Sequence, residues 1–294
     1  MKTIAPHYYK NFICSADKCQ HTCCAGWEID IDEFTHSIYK NHTGTLKSRF
    51  EKFISTDGDS PHFILDEKER CPFLNESNLC DIYIEMGEEN LCNICTEHPR
   101  FRNYFSDRCE MGIGLCCEET ASLILKNTEK FHTFEVENDD FDDECTEEET
   151  VFFALRQKIF DILENRETTF DERCKKLFDF LEISDFSVDF RHLFNGLEYM
   201  EHNICDLTDN SNEIKIDDIY LENLAVYFIY RHLSDAIDDN RFKERILFSI
   251  ISAYAIEKMC KTNDFAEICE CARIYSSEIE YSEENTEEIL KQGL

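Results

Sequence analysis

Apolar residues recur every three or four positions through the second half of the chain. Val151, Leu155, Ile159, Ile162 and Leu163 keep this spacing, as do Cys174, Leu177, Phe178 and Leu181, and each set predicts an amphipathic helix. The stretch Ile219–Ile237 is apolar nearly all round, interrupted by Glu222, Asn223, Arg231, His232 and Ser234–Asp235, which predicts a central helix. Asp238-Asp239-Asn240 breaks it, and Ile246, Ile250, Ala253 and Ile256 predict a return helix over Phe242–Met259. Two apolar helices joined by a short turn pack as an antiparallel pair.

The first half reads differently. Phe34, Ile38, Leu46, Phe50 and Phe53 predict helical structure around Glu33–Lys52, with a second stretch around Glu118–Phe131 and a short helix at Asp81–Gly87. Loops dominate between them. From Glu135 to Glu149 there are ten acidic side chains and no basic one, and like-charge repulsion keeps such a run solvated and extended. The expected organisation is a loop-rich, cysteine-rich metal-binding module at 1–134, an acidic linker or loop at 135–149 and an all-α helical domain at 150–294. The fold class is mainly α.

Composition adds a charge argument. With 30 basic against 63 acidic residues the formal net charge is −33, which argues against nucleic acid because a binder needs a basic footprint. The same field suits a cationic ligand such as a substrate lysine by raising its local concentration. Met1–Asn11 contains no apolar segment of the kind that directs secretion. The longest apolar run, Leu224–Tyr230, falls far short of the ~20 residues of a membrane span. A cytoplasmic address is expected, where thiols stay reduced and clustered cysteines mean metal or redox chemistry.

The cysteines are clustered. Of 17, eleven precede residue 118: Cys14, Cys19, Cys23, Cys24, Cys71, Cys80, Cys92, Cys95, Cys109, Cys116 and Cys117. Thiolates at i and i+3 can reach one metal, so Cys92 and Cys95 form a good half-site. Adjacent cysteines point apart, so each of the doublets Cys23-Cys24 and Cys116-Cys117 supplies one ligand to a given centre. Zinc and a four-iron cluster both accept four thiolates, and spacing does not separate them. The six later cysteines, Cys145, Cys174, Cys205, Cys260, Cys269 and Cys271, are scattered and read mostly as small core hydrophobes. His21, beside Cys19 and Cys23, reads as a packed or solvent-facing histidine ahead of a ligand. No G-x-G-x-x-G and no P-loop is present, which argues against an ordinary Rossmann cofactor loop. The C-x3-C-x2-C triad usual for radical S-adenosylmethionine enzymes is absent too, because Gly26 occupies the third position after Cys19-x3-Cys23.

An ordered set of motifs runs through this region: Phe12-x-Cys14, Cys19-x3-Cys23-Cys24-x-Gly26-Trp27, Cys71-Pro72-Phe73-Leu74 and Leu79-Cys80-x-Ile82. Gly87-x3-Leu91-Cys92-x2-Cys95, Pro99-Arg100, Glu110 and Cys117-x-Glu119 complete it. Together these resemble the flagellin lysine-N-methylases and related cysteine-rich zinc- or iron-chelating domain proteins. Tyr227-x2-Tyr230-Arg231-His232-Leu233 is similar to the C-terminal half of the methylases. The chain departs from the family pattern at Glu118, where proline is usual, and at Cys116, where serine is usual.

The resemblance implies a protein lysine N-methyltransferase acting on flagellin, with a [4Fe-4S] cluster and S-adenosylmethionine as cofactors; zinc is the alternative metal. It assigns Cys19, Cys23, Cys24, Cys71, Cys80, Cys92, Cys95 and Cys117 as metal ligands, undivided between centres. Arg100 would pair with the cofactor carboxylate through its planar fork, and Trp27 would pack over the metal site. Glu110 and Glu119 are candidates for handling the substrate ammonium, a structural carboxylate being the competing reading for each. The rival function is a non-enzymatic metal-chelating or structural zinc protein whose helical half binds partners.

Overall fold

The computed structural model describes residues 1–138, 144–183, 187–208 and 213–292. In chain order, β1 (Lys2–Pro6) is followed by α1 (Glu33–Asn41), α2 (Lys47–Phe53), the two-residue strands β2 (Ile54–Ser55) and β3 (His62–Phe63), α3 (Asp81–Met86) and α4 (Asn93–Glu97). Next come β4 (Arg100–Tyr104), β5 (Arg108–Ile113), α5 (Glu118–Leu125) and β6 (Thr133–Asn138). The remainder is helical: α6 (Glu147–Leu163), α7 (Phe170–Leu181), α8 (Phe190–Leu193), α9 (Ile204–Leu207), α10 (Asp218–His232), α11 (Ala236–Asp239), α12 (Phe242–Met259) and α13 (Phe265–Tyr275), then a π-helical turn at Ser276–Glu280 and α14 (Glu283–Lys291). The fold is mainly α. Among the described residues no helix is long and apolar enough to cross a membrane.

Two compact units result. One comprises Ile13–Arg100, the cysteine-rich unit, and the other comprises Met1–Phe12 together with Phe101–Leu294, the helical unit. The division expected at the acidic segment 135–149 is thus replaced by divisions after residues 12 and 100, and both flanks of that segment lie in the helical unit. The physical reason is strand pairing and capping. Thr133–Asn138 pairs antiparallel with β1, and Thr146 and Glu149 form a capping box that starts α6, a position where carboxylates are favoured. Residues 139–143 of the run lie outside the described residues.

The helical unit centres on the expected pair α10 and α12. Eleven of the 15 side chains of α10 are buried, including Glu222 and Asn223. Glu222 survives there because Arg173 Nη1 donates to it at 2.5 Å and Arg166 Nη2 at 2.7 Å, and Asn223 because its Nδ2 donates to the carbonyls of Leu125 and Asn127. The helical unit also carries a four-stranded sheet in the order β4-β5-β1-β6, whose strands all precede residue 139, so the expected all-α segment 150–294 is helical among its described residues. Here β1 runs parallel to β5, with Lys2 opposite Arg108 and Ile4 opposite Glu110. Strands this short show too little alternation to announce themselves in the sequence.

The cysteine-rich unit has short elements throughout. The helix expected around 33–52 is two, α1 and α2, separated by a break at His42–Leu46. Their inward faces meet in an aromatic stack, with Tyr39 and Phe50 rings parallel at 4.3 Å and Phe73 at 5.0 Å from both Phe50 and Phe63.

Candidate metal centre

Five thiols of the cysteine-rich unit lie close enough to interact electrostatically: Cys24, Cys71, Cys80, Cys92 and Cys95. Backbone pairing brings the first three together. Ala25 bridges Arg70, and the Cys71 amide donates to the Cys24 carbonyl at 2.8 Å. Leu74 bridges Cys80, and the Asp81 amide donates to the Phe73 carbonyl at 2.8 Å, closing the Cys71–Cys80 loop. Arg49 clamps that loop, donating to Asp81 Oδ2 at 2.6 Å and to the Pro72 carbonyl at 2.7 Å.

Cys92 caps the N-terminus of α4 and Cys95 lies one turn inside it, which sets their sulfurs 3.3 Å apart. Asp32 holds this helix in place. Its Oδ1 accepts from the Thr35 amide, capping α1, while its Oδ2 accepts from the Asn93 amide at 3.0 Å, capping α4. Burial would raise the Asp32 carboxyl, but these amides bring it below its usual range. Tyr39 adds a second tie, its hydroxyl donating to the Asn90 carbonyl at 2.7 Å.

The thiols sit in apolar surroundings. Cys71 and Cys92 are core members beside Phe63, Phe73 and Ile82, and Cys24, Cys80 and Cys95 pack against that core. Burial pushes the Cys71 thiol up to about 12 and raises Cys80 as well, against the amides of Phe73 and Tyr83 respectively. The close pair splits: the hydrogen bond between them lowers Cys92 and raises Cys95. Cys24 is lowered to about 7, first by a hydrogen bond from Cys23, against burial, with help from Thr22 and Arg70. Burial in this apolar pocket keeps most of these groups as neutral thiols, and a bound metal would displace their protons and take the thiolates as ligands. The donor set is soft sulfur throughout, which fits zinc or an iron–sulfur cluster and not magnesium or calcium.

The other expected site residues divide clearly. Cys23 is exposed and Cys19 half-buried on the loop before Trp27, and Cys19 donates to the His21 carbonyl at 3.1 Å. Trp27 is half-buried, its Nε1 donating to the Cys23 carbonyl at 2.9 Å, with its ring 6.0 Å from His98. It lines an open cleft of about 460 Å³ with Glu28, His62, Ile64 and Glu69. Arg100 follows α4 and donates to the Thr96 carbonyl at 3.0 Å.

Cys117 belongs to the helical unit, where it caps α5. The thiol of its neighbour Cys116 meets Tyr281 and Arg231, and burial pushes it up to about 12. Glu119 lies half-buried in the first turn of α5. Glu110 is 1% exposed and accepts both nitrogens of Arg156, at 2.7 and 2.6 Å. Its carboxylate is a core ion pair of the helical unit, the structural alternative for this residue. Sequence reasoning missed Asp32, Arg49 and Asp81, the residues that hold the thiol-bearing loops. An N-cap aspartate just before the apolar spacing of α1 is the signal that marks Asp32.

The thiol-bearing loops frame the comparison with known proteins. The likeness is to lysine-N-methylases. The chain is 26% identical over 128 residues to the Lysine-N-methylase of Salmonella choleraesuis and 27% identical over 136 residues to that of Salmonella typhimurium, each match covering 42% of this chain and 32% of the relative. It is 26% identical over 128 residues to the Flagellar biosynthetic protein FliU of Salmonella muenchen, covering 42% of this chain and 76% of that one. The matched stretch therefore spans about a third of the length of the two lysine-N-methylases. No family model matches the chain, and no solved structure does.

Proposed function

We propose that this protein is a lysine N-methyltransferase acting on flagellin, with S-adenosylmethionine as methyl donor and a thiolate-bound [4Fe-4S] cluster. The observation that carries the reading is the five-thiol cluster in a chain similar to proteins named Lysine-N-methylase and Flagellar biosynthetic protein FliU. Cys24, Cys71, Cys80, Cys92 and Cys95 would hold the metal, with Cys19, Cys23 and Cys117 as the remaining candidates. When bound, the cluster and cofactor supply an electron-poor methyl group. Arg100 and Trp27 are assigned to the cofactor, Arg100 as a cationic fork for its carboxylate.

The acceptor must be a neutral amine, so the protein has to take its proton or desolvate it. Glu28 and Glu69 line the cleft beside Trp27 and would meet a lysine ammonium that entered it. The net charge of −33 draws such a cation in. A cytoplasmic enzyme follows from this reading.

The test is co-expression with the flagellin of the same organism. Wild-type protein purified without oxygen should be brown, with absorption near ~400 nm, and should add increments of about 14 Da per methyl group to flagellin lysines. Replacing Cys92 or Cys95 by serine exchanges a soft thiolate for a weak hydroxyl ligand and should abolish both colour and methylation. Colourless wild-type protein carrying zinc and leaving flagellin unmodified would favour the alternative, a metal-chelating or structural zinc protein that rests on the same thiols.

A further inference from the structure

We propose that His7, Glu129 and His132 form a second metal site, for a divalent transition ion of the zinc class, in the helical unit and chemically distinct from the thiolate centre. Their donor atoms lie within 4.8 Å of one another. The sheet register puts them there. β1 pairs with β6 so that Pro6 faces Thr133, and the next backbone bond runs from the His7 amide to the His132 carbonyl at 2.9 Å. The two imidazoles consequently stack, with ring centroids 4.3 Å apart and planes within 9°.

An oxygen acceptor lies within hydrogen-bond distance of both nitrogens of His7 and of one nitrogen of His132. His7 Nε2 lies 3.0 Å from Asn127 Oδ1, and His132 Nδ1 lies 3.1 Å from the Lys130 carbonyl. With the proton of each neutral ring on that nitrogen, the other nitrogen, His7 Nδ1 and His132 Nε2, carries a lone pair. Metal-binding histidines are oriented in this way, the second nitrogen donating to an amide or carbonyl oxygen that fixes the tautomer. His7 Nδ1 also lies 3.3 Å from the His132 carbonyl oxygen, so the proton of His7 has an acceptor at either nitrogen, and a metal on Nδ1 would select the Nε2–H tautomer.

Asn127 organises the third ligand too. Its Oδ1 accepts from the Glu129 amide at 3.1 Å and its Nδ2 donates to the Glu129 carbonyl at 2.9 Å. Two imidazoles and one carboxylate are the donor set of zinc sites that keep a fourth position open. His7 is buried while Glu129 and His132 are exposed, so that fourth position would face solvent.

The test uses full-length protein purified anaerobically with its thiolate centre filled, and zinc alone as the probe. Wild-type protein should take up one more equivalent of zinc than His132→Ala, and Glu129→Gln should weaken that uptake about tenfold. Both substitutions are at exposed positions, so folding is retained. A second readout is carbethoxylation of His132 followed by mass spectrometry, which zinc should block in the wild type. Equal zinc uptake by wild type and His132→Ala would overturn the proposal. So would carbethoxylation of His132 at the same rate with and without zinc.

Discussion

The two units of this protein are stabilised by different means. Among the described residues, the helical unit gathers 47 buried apolar side chains into one cluster, and the cysteine-rich unit gathers ten, two of them cysteines. Apolar burial contributes roughly 25 cal/mol per Å², so the helical unit holds itself together as an ordinary globular core. The cysteine-rich unit has helices of nine residues at most and strands of two. A body with so little core needs a staple, and on the proposed function that staple is a metal held by the five sulfurs. The same five sulfurs are therefore the candidate chemistry and the missing share of the core.

The largest way to break this contrast is to remove the proposed metal. A strong chelator should collapse hydrogen-exchange protection across residues 29–95 while leaving α10 and α12 protected, as read by mass spectrometry of peptides from each unit. Equal protection in both units before and after chelation would show that the small core suffices by itself.

The next effect is on the helical unit alone. Replacing Glu110 by Ala leaves the Arg156 guanidinium buried and unpaired, a loss of about 3–5 kcal/mol, measurable by urea denaturation. The metal content of the thiolate centre should not change.

A smaller effect is expected at Gly114. A β-carbon there would collide with the Tyr281 hydroxyl and come within 2.8 Å of Arg231 Nη1. Gly114→Ala should therefore cost about 1–3 kcal/mol, seen as a lowered thermal midpoint of the helical unit. An unchanged midpoint would mean that Tyr281 swings away freely.

Those glycines also show what a sequence can and cannot announce. Gly112-x-Gly114 lacks the third glycine of a dinucleotide loop, and each of the two makes room for a side chain from elsewhere in the chain, Phe101 and Tyr281 respectively. The helix pair α10 and α12 was legible because a long apolar run has few other solutions. Cys92 and Cys95 were legible because their spacing is local. The grouping of Cys24, Cys71 and Cys80 was not, since it depends on bridges between Ala25 and Arg70 and between Leu74 and Cys80. The acidic run misled for a physical reason. Charge counting treats every carboxylate as solvated, but Glu149 is spent on a helix cap and on the Ser106 amide. Glu110 and Arg156 are likewise 46 residues apart, and no local pattern joins them.

The insertion of residues 13–100 between β1 and the rest of its sheet has a consequence for synthesis. On the ribosome β1 emerges first but finds neither neighbour, since β5 begins at Arg108 and β6 at Thr133. The cysteine-rich unit, by contrast, is complete once Arg100 has cleared the exit tunnel. Its five thiols can come together while β1 is still waiting, so the order of translation gives the cysteine-rich body a head start over the larger core.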